Sequence, residues 1–215
     1  MCYQYQNRRN GGRKLTQKNE TNPIVDNFLS GYNTETIFMD NTATTIQQYR
    51  DIRRQTDGLA AELEKHHAGR MVCRKGCCQC CTNLTVFPVE FFSIVEEMKQ
   101  AGITKPAFDA AKACGYLDDK GECVIYPYRP IICRTQGLPL AFYDEPQQGY
   151  SVTFCPQNFA GADPDKLNFG PNNTLNLDEL NDELFEIHLQ FLRERPELHF
   201  TASTRIEMSR LSKYL

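Results

Sequence analysis

The chain has 215 residues, 40% of them hydrophobic, no Trp and a formal net charge of −3. That length holds one domain with tails, or at most two small domains. No apolar run reaches the roughly 18 residues of a spanning helix, and a charge so near zero gives no general attraction to nucleic acid or to a membrane surface.

Residues 1–40 are polar and rich in Asn, Gln and Thr, and they carry Arg8, Arg9, Arg13, Lys14 and Lys18. No apolar stretch follows these cations, so they do not read as a secretory signal. The expectation is a flexible tail, with the short apolar piece at 24–29 able to dock on the body. From 41 to 68, Ile46, Tyr49, Ile52, Leu59 and Leu63 recur at helical spacing and predict an amphipathic helix ended by Gly69. His66 and His67 fall in its last turn, where they suit the negative end of the helix dipole; neither has a second His at ligand spacing.

The cysteines are the anomaly. Nine of ten lie between 73 and 155. A chain without a secretory signal is expected in the cytoplasm, where thiols stay reduced. Dense cysteine there reads as metal binding before redox-active thiols or structural disulfides. A knot comes first: Cys73, Cys77, Cys78, Cys80 and Cys81. In a CxxC loop two thiolates converge on one ion from a single tight turn. Cys77 with Cys80, and Cys78 with Cys81, have that spacing. Gly76 gives turn freedom, and Arg74 and Lys75 favour thiolate over thiol.

After the knot, 84–87 reads as a strand. Pro88 opens a helix that Gly102 ends, with Phe91, Val95 and Met98 as its apolar stripe. A short helix is expected over 106–113. Residues 117–122 form a turn that brings Cys114 toward Cys123. Pro127 and Pro130 interrupt any strand, 131–135 makes a helical turn carrying Cys133, and 138–154 makes a hairpin turning at 145–149 and ending at Cys155. Arg129 and Arg134 flank Cys133 and are candidates to support the ligands from behind. Tyr126 and Tyr128 read as packing. Residues 156–174 are loop. A last helix runs over 177–194, with Asn176 and Glu179 at capping-box spacing and Leu177, Leu180, Leu184, Ile187 and Phe191 as its stripe. That stripe packs on the first helix or serves a partner, the former being favoured.

The spacing departs from a zinc ribbon, which wants two CxxC knuckles. One knot is followed by the singletons Cys114, Cys123, Cys133 and Cys155. With these residues laid out, the segment resembles the YkgJ-type cysteine-cluster family of zinc- or iron-chelating domains. The resemblance rests on the knot Cys73, Cys77, Cys80 and Cys81, then on Cys114, Leu117, Gly121, Cys123, Ile125, Tyr126, Arg129, Pro130, Cys133 and Arg134, and on Cys155. It covers about 73–155. Cys78 departs from it, standing where the family usually has Gly, and Cys2 lies outside it. The resemblance implies metal held by Cys73, Cys77, Cys80, Cys81, Cys114, Cys123, Cys133 and Cys155. A related cluster in flagellin lysine-N-methylases, thought to hold an iron–sulfur cluster, makes a [4Fe-4S] group a second expectation.

The expected architecture is a mainly α fold: a polar tail over 1–40, then one helical domain over 41–215. It would contain an irregular, metal-stapled cysteine core at 73–155 and one or two short β-hairpins. The expected function is zinc or iron binding. The alternative is an iron–sulfur protein serving electron transfer or a protein lysine methylation-type enzyme. No catalytic motif is legible: there is no zincin helix, no nucleophile elbow and no glycine-rich nucleotide loop. A protein partner on the amphipathic helices is conceivable; a membrane is not expected, and nucleic acid is a weak candidate. Thiolates suit zinc and iron–sulfur clusters alike, so eight donors equal two four-thiolate sites or one cluster with thiols to spare. One buried site is the favoured count.

Overall fold

A computed structural model describes residues 42–162 and 167–215, without the side chains of 42 and 43. The expected tail, the 24–29 stretch and Cys2 lie outside the described residues.

Helix α1, Thr42–His66, has no proline to interrupt it and carries Lys65 and His66 at its negative end. Ile46, Tyr49, Ile52 and Leu63 are buried, but Leu59 is 48% exposed and is not part of the stripe. His67 is buried. Its Nε2 lies 2.8 Å from the Asn173 carbonyl, and its ring packs edge-on to Phe159 and Phe169. It is a satisfied packing residue and not a dipole partner in solvent.

Strand β1, Thr85–Val86, leads through Phe87 into α2, Pro88–Gln100. Proline at the start loses no needed N–H, and Glu90 reaches back to accept from the Phe87 N–H at 3.1 Å. Phe91, Ile94, Val95 and Met98 are buried on this helix. Tyr49 Oη donates to Glu90, and Arg50 and Arg53 of α1 pair with Glu96 and Glu97. These contacts lock α1 on α2.

The expected helix at 106–113 does not form. An eight-residue helix is marginal alone, and here the Phe108 ring covers Gly115, where a Cβ would sit 2.1 Å from it, and packs on Tyr116. That approach requires an irregular path, closed by the Asp109 N–H donating to the Gly115 carbonyl. Tyr126–Tyr128 is a 3-10 turn, followed by the short helix α3, Ile131–Thr135.

The hairpin forms as expected. β2, Leu140–Asp144, pairs antiparallel with β3, Gly149–Thr153. Two further pairings are non-local. β4, Leu175–Asn176, adds to β2 in parallel, with Leu140 opposite Leu175. β5, Ile206–Glu207, pairs antiparallel with β1, with Val86 opposite Ile206. The fold is therefore mixed, helices with two small sheets, and not mainly helical with hairpins alone.

Helix α4, Leu177–Glu194, is capped by the Asn176 side chain, which accepts from the N–H groups of Asp178 and Glu179. Leu184, Ile187 and Phe191 are buried against α1 and α2, and Thr45 of α1 donates to Glu194 at 2.7 Å. The stripe is consumed within the chain. The ending, α5 at Leu211–Tyr214, inserts Leu211 into the same core. Among the described residues no helix is long and apolar enough to cross a membrane.

Candidate metal centre

The cysteine segment lies against the C-terminal half of α1. Arg134 makes the main tether. It donates from Nε to the Arg129 carbonyl at 2.7 Å, from Nη2 to the Pro127 carbonyl at 2.5 Å, and from Nη1 to the Asp57 carboxylate of α1 at 2.7 Å. Its role is to brace the chain around Cys133, and its guanidinium is spent on that.

Arg129 is placed differently. Its guanidinium stacks on Tyr126 at 3.5 Å and hydrogen-bonds the carbonyls of Tyr126 and Cys133. It is the cation that faces Cys80, Cys123 and Cys133, favouring the thiolate at each. The sequence suggested Arg74 and Lys75 for this task. Arg74 lines the cavity wall, but Lys75 pairs at the surface with Glu122.

All nine cysteines of the segment are free and half-buried. Cys73, Cys77, Cys80, Cys81, Cys114, Cys123 and Cys133 line one cavity of about 410 Å³, whose far wall is Asp57, Ala60 and Glu64 of α1. Cys155 lies outside that lining. With Cys80 it borders a second cavity of about 710 Å³. Cys155 still faces Cys73.

The backbone explains how distant residues meet. Gly76 takes φ +92° and turns the knot. Leu117 bridges Cys123, and Val124 donates to the Tyr116 carbonyl, so the 117–122 turn returns Cys123 to Cys114. Cys133 enters α3 with its N–H on the Pro130 carbonyl. Cys155 follows β3 and donates to the Gly137 carbonyl.

Asn158 was not singled out from sequence. It is 1% exposed. Its Oδ1 accepts from the N–H groups of Val72 and Cys73, at 2.9 and 3.1 Å, and its Nδ2 donates to the Gly137 carbonyl at 2.5 Å. Its own N–H donates to the Cys155 carbonyl at 2.9 Å. One side chain thus pins both ends of the cysteine segment. The only sequence signal is an Asn three residues after the last cysteine, which is also an ordinary turn residue.

The thiols meet in pairs. Cys73 is hydrogen-bonded to Cys77, and Cys80 to Cys81. Among the described residues no group of three or more His, Cys, Asp and Glu side chains is arranged to hold a metal ion. Burial favours the protonated thiol at Cys73, Cys123 and Cys133. Burial, with Cys77, Cys80 and Cys155 facing it, pushes Cys73 up to about 12. Burial likewise pushes Cys133 up to about 12 and raises Cys123. The hydrogen bond between Cys80 and Cys81 holds Cys80 down to about 6 and Cys81 well above the usual thiol range. Cys78 turns away: its Sγ lies against Gly121, 3.3 Å from where a Cβ there would stand.

The donor set fits a soft cation. Thiolates crowded in a half-buried space repel one another, and a thiophilic divalent ion removes that repulsion. Comparison with curated proteins and with solved structures gives no match. Residues 72–156 match the model of the CxxCxxCC family, described as a "putative zinc- or iron-chelating domain". By that match, the cysteine segment of this chain is similar to the CxxCxxCC family.

Proposed function

We propose that the chain is a zinc- or iron-binding protein whose ligands are Cys73, Cys77, Cys80, Cys81, Cys114, Cys123, Cys133 and Cys155. The observation that carries this reading is the gathering of seven of them as free, half-buried thiols around one cavity, drawn from four separate stretches of chain, with Cys155 beside it. Disulfides would also hold such a segment, but none is present among the described cysteines.

In this reading the metal cross-links a region with little core of its own. The segment from 101 to 130 holds only short irregular turns. A metal joining Cys114 and Cys123 to Cys133 supplies folding free energy that apolar burial there does not. Arg129 offsets part of the thiolate charge, and Arg134 and Asn158 hold the ligand-bearing backbone. The chain then acts as one unit over 41–215, in a reducing compartment where the thiols stay available.

The test is anaerobic purification followed by elemental analysis and a visible spectrum. Stoichiometric zinc in a colourless protein, or stoichiometric iron, supports the reading. Broad brown absorption with iron and acid-labile sulfide assigns an iron–sulfur cluster to the same thiols. Metal-free protein that takes up neither zinc nor iron contradicts it.

A further inference from the structure

The second cavity, of about 710 Å³, shares Cys80, Gln136 and Leu138 with the wall of the cysteine-lined cavity and otherwise has a lining of its own. That lining is mostly apolar, with Val86, Phe87, Phe154, Leu184 and Phe185 among it. Ile132 and Phe185 also line it and are 42% and 37% exposed, so the apolar wall reaches solvent. Close-packed interiors do not leave a space of this size by accident. Its volume and its apolar, aromatic wall with few polar groups are those of a small-molecule site, for which roughly 300–1,000 Å³ is usual.

Three charged side chains belong to the lining: Glu90, Asp182 and Arg205. Glu90 is spent on the protein, since its carboxylate accepts from the Phe87 N–H at 3.1 Å and from Tyr49 Oη at 3.3 Å. Asp182 is exposed on α4, where water and salt screen it. Arg205 is the one cation of the lining. The pairing of β1 with β5 sets its position. Val86 stands opposite Ile206, and the same register carried one residue on brings Arg205 to Phe87. Its guanidinium lies 3.4 Å from the centre of the Phe87 ring. Nη1 donates to the carbonyls of Ala202 and Thr204, at 3.4 and 3.0 Å, and among the described residues no hydrogen bond engages Nε or Nη2. The buried His188 packs on the same Phe87 ring at 4.3 Å and steadies it. Burial, with Arg205 nearby, pushes His188 down to about 4, so it stays neutral and adds no second cation.

We infer that this cavity binds a small organic carboxylate, with its apolar body against Phe87, Phe154 and Phe185 and its carboxylate on the guanidinium of Arg205. Nε and Nη2 offer the two parallel N–H groups that a carboxylate accepts as a pair. Burial of the apolar body supplies affinity, and Arg205 selects the sign of the charged end. The site stands apart from the thiol ligands and does not rest on a bound metal.

The test is isothermal titration calorimetry on the full chain as purified, with decanoate, decanol and decylamine as probes of equal length and different charge. Decanoate should bind as one molecule per chain and about tenfold or more tighter than decanol, with decylamine weakest. R205M should weaken decanoate binding by about 10–100-fold and leave decanol binding as in wild type. Arg205 is exposed, so this variant should keep the wild-type circular dichroism. T153W fills the cavity from β3 and should weaken decanoate and decanol alike. No uptake of decanoate, decanol or decylamine bound as tightly as decanoate, or a folded R205M that binds decanoate like wild type overturns the inference. The last result would include a carboxylate taken up by the metal itself. Metal content, read separately by elemental analysis, tests the earlier reading and does not bear on this one.

Discussion

Replacing Asn158 with Ala tests how the ligand-bearing backbone is held. The substitution strands the N–H groups of Val72 and Cys73 and leaves the Gly137 carbonyl the longer bond from the Cys155 N–H at 3.5 Å. Val72 is 47% exposed, so water can reach its N–H. The Cys73 N–H loses its partner beside a buried side chain, at about 1–3 kcal/mol. The expected loss is roughly 2 kcal/mol of unfolding free energy for the metal-loaded protein. Removing a group that orients a ligand typically weakens metal affinity by about 10–100-fold, and a loss of that size is expected here. The assay pairs urea unfolding with competition against a chelator of known affinity. Gln157 is the control. It sits in the same turn, but its side chain bonds to the exposed Gln79, so Q157A should change neither value by more than about 0.5 kcal/mol. An N158A protein as stable and as chelator-resistant as Q157A would refute the clamp.

Four other outcomes follow from the same contacts. Gly137→Ala puts a Cβ 3.1 Å from Cys73 Sγ at a φ of +89°; it should cost about 1–2 kcal/mol by strain and reduce metal content, measured by elemental analysis. Arg129→Met removes the cation facing Cys80, Cys123 and Cys133. Thiol pKa values then rise, protons compete better with metal, and the midpoint of acid-induced metal release should move upward by about one pH unit; an unmoved midpoint contradicts this role. Burial pushes Glu90 up to about 7. A raised carboxyl favours folding most below about 4.5, and that contribution is lost as pH rises through about 7, on the order of 3 kcal/mol in all. Relative to wild type, E90Q should therefore gain stability between pH 5 and pH 8 in urea titrations, and a flat difference would contradict it. Cys78→Ser should leave metal content unchanged, since its Sγ lies against Gly121 and not among the other thiols.

Much of the local structure was legible because single residues impose it. Pro88 and Gly102 bound α2, Asn176 caps α4, and the run 145–149 turns the hairpin, each through a local constraint on backbone or hydrogen bonding. The facing of Cys114 and Cys123 followed from one turn. What sequence did not disclose is non-local. The pairings of β1 with β5 and of β4 with β2 involve strands of two residues, too short to carry an alternating pattern. The helix expected at 106–113 lost to the packing of Phe108 on Gly115, a contact no local propensity encodes. Leu59 fell on the exposed side because the stripe of a 25-residue helix drifts around the axis.

The site shows the same division. Spacing marked the crowded cysteines as candidate donors, and the structure brings seven of them around one cavity. Spacing did not disclose Gly137 and Asn158, which hold the backbone at Cys73 and Cys155 and carry no metal-ligand signature. Arg129 and Arg134 flank Cys133 alike in sequence, yet one faces thiols and the other binds carbonyls and Asp57.

X-ray absorption at the metal edge tests the central claim most directly, on protein purified without oxygen. The account predicts a first shell of sulfur only, four atoms per metal at about 2.3 Å for zinc. A shell dominated by nitrogen or oxygen, or no bound metal to measure, would contradict it.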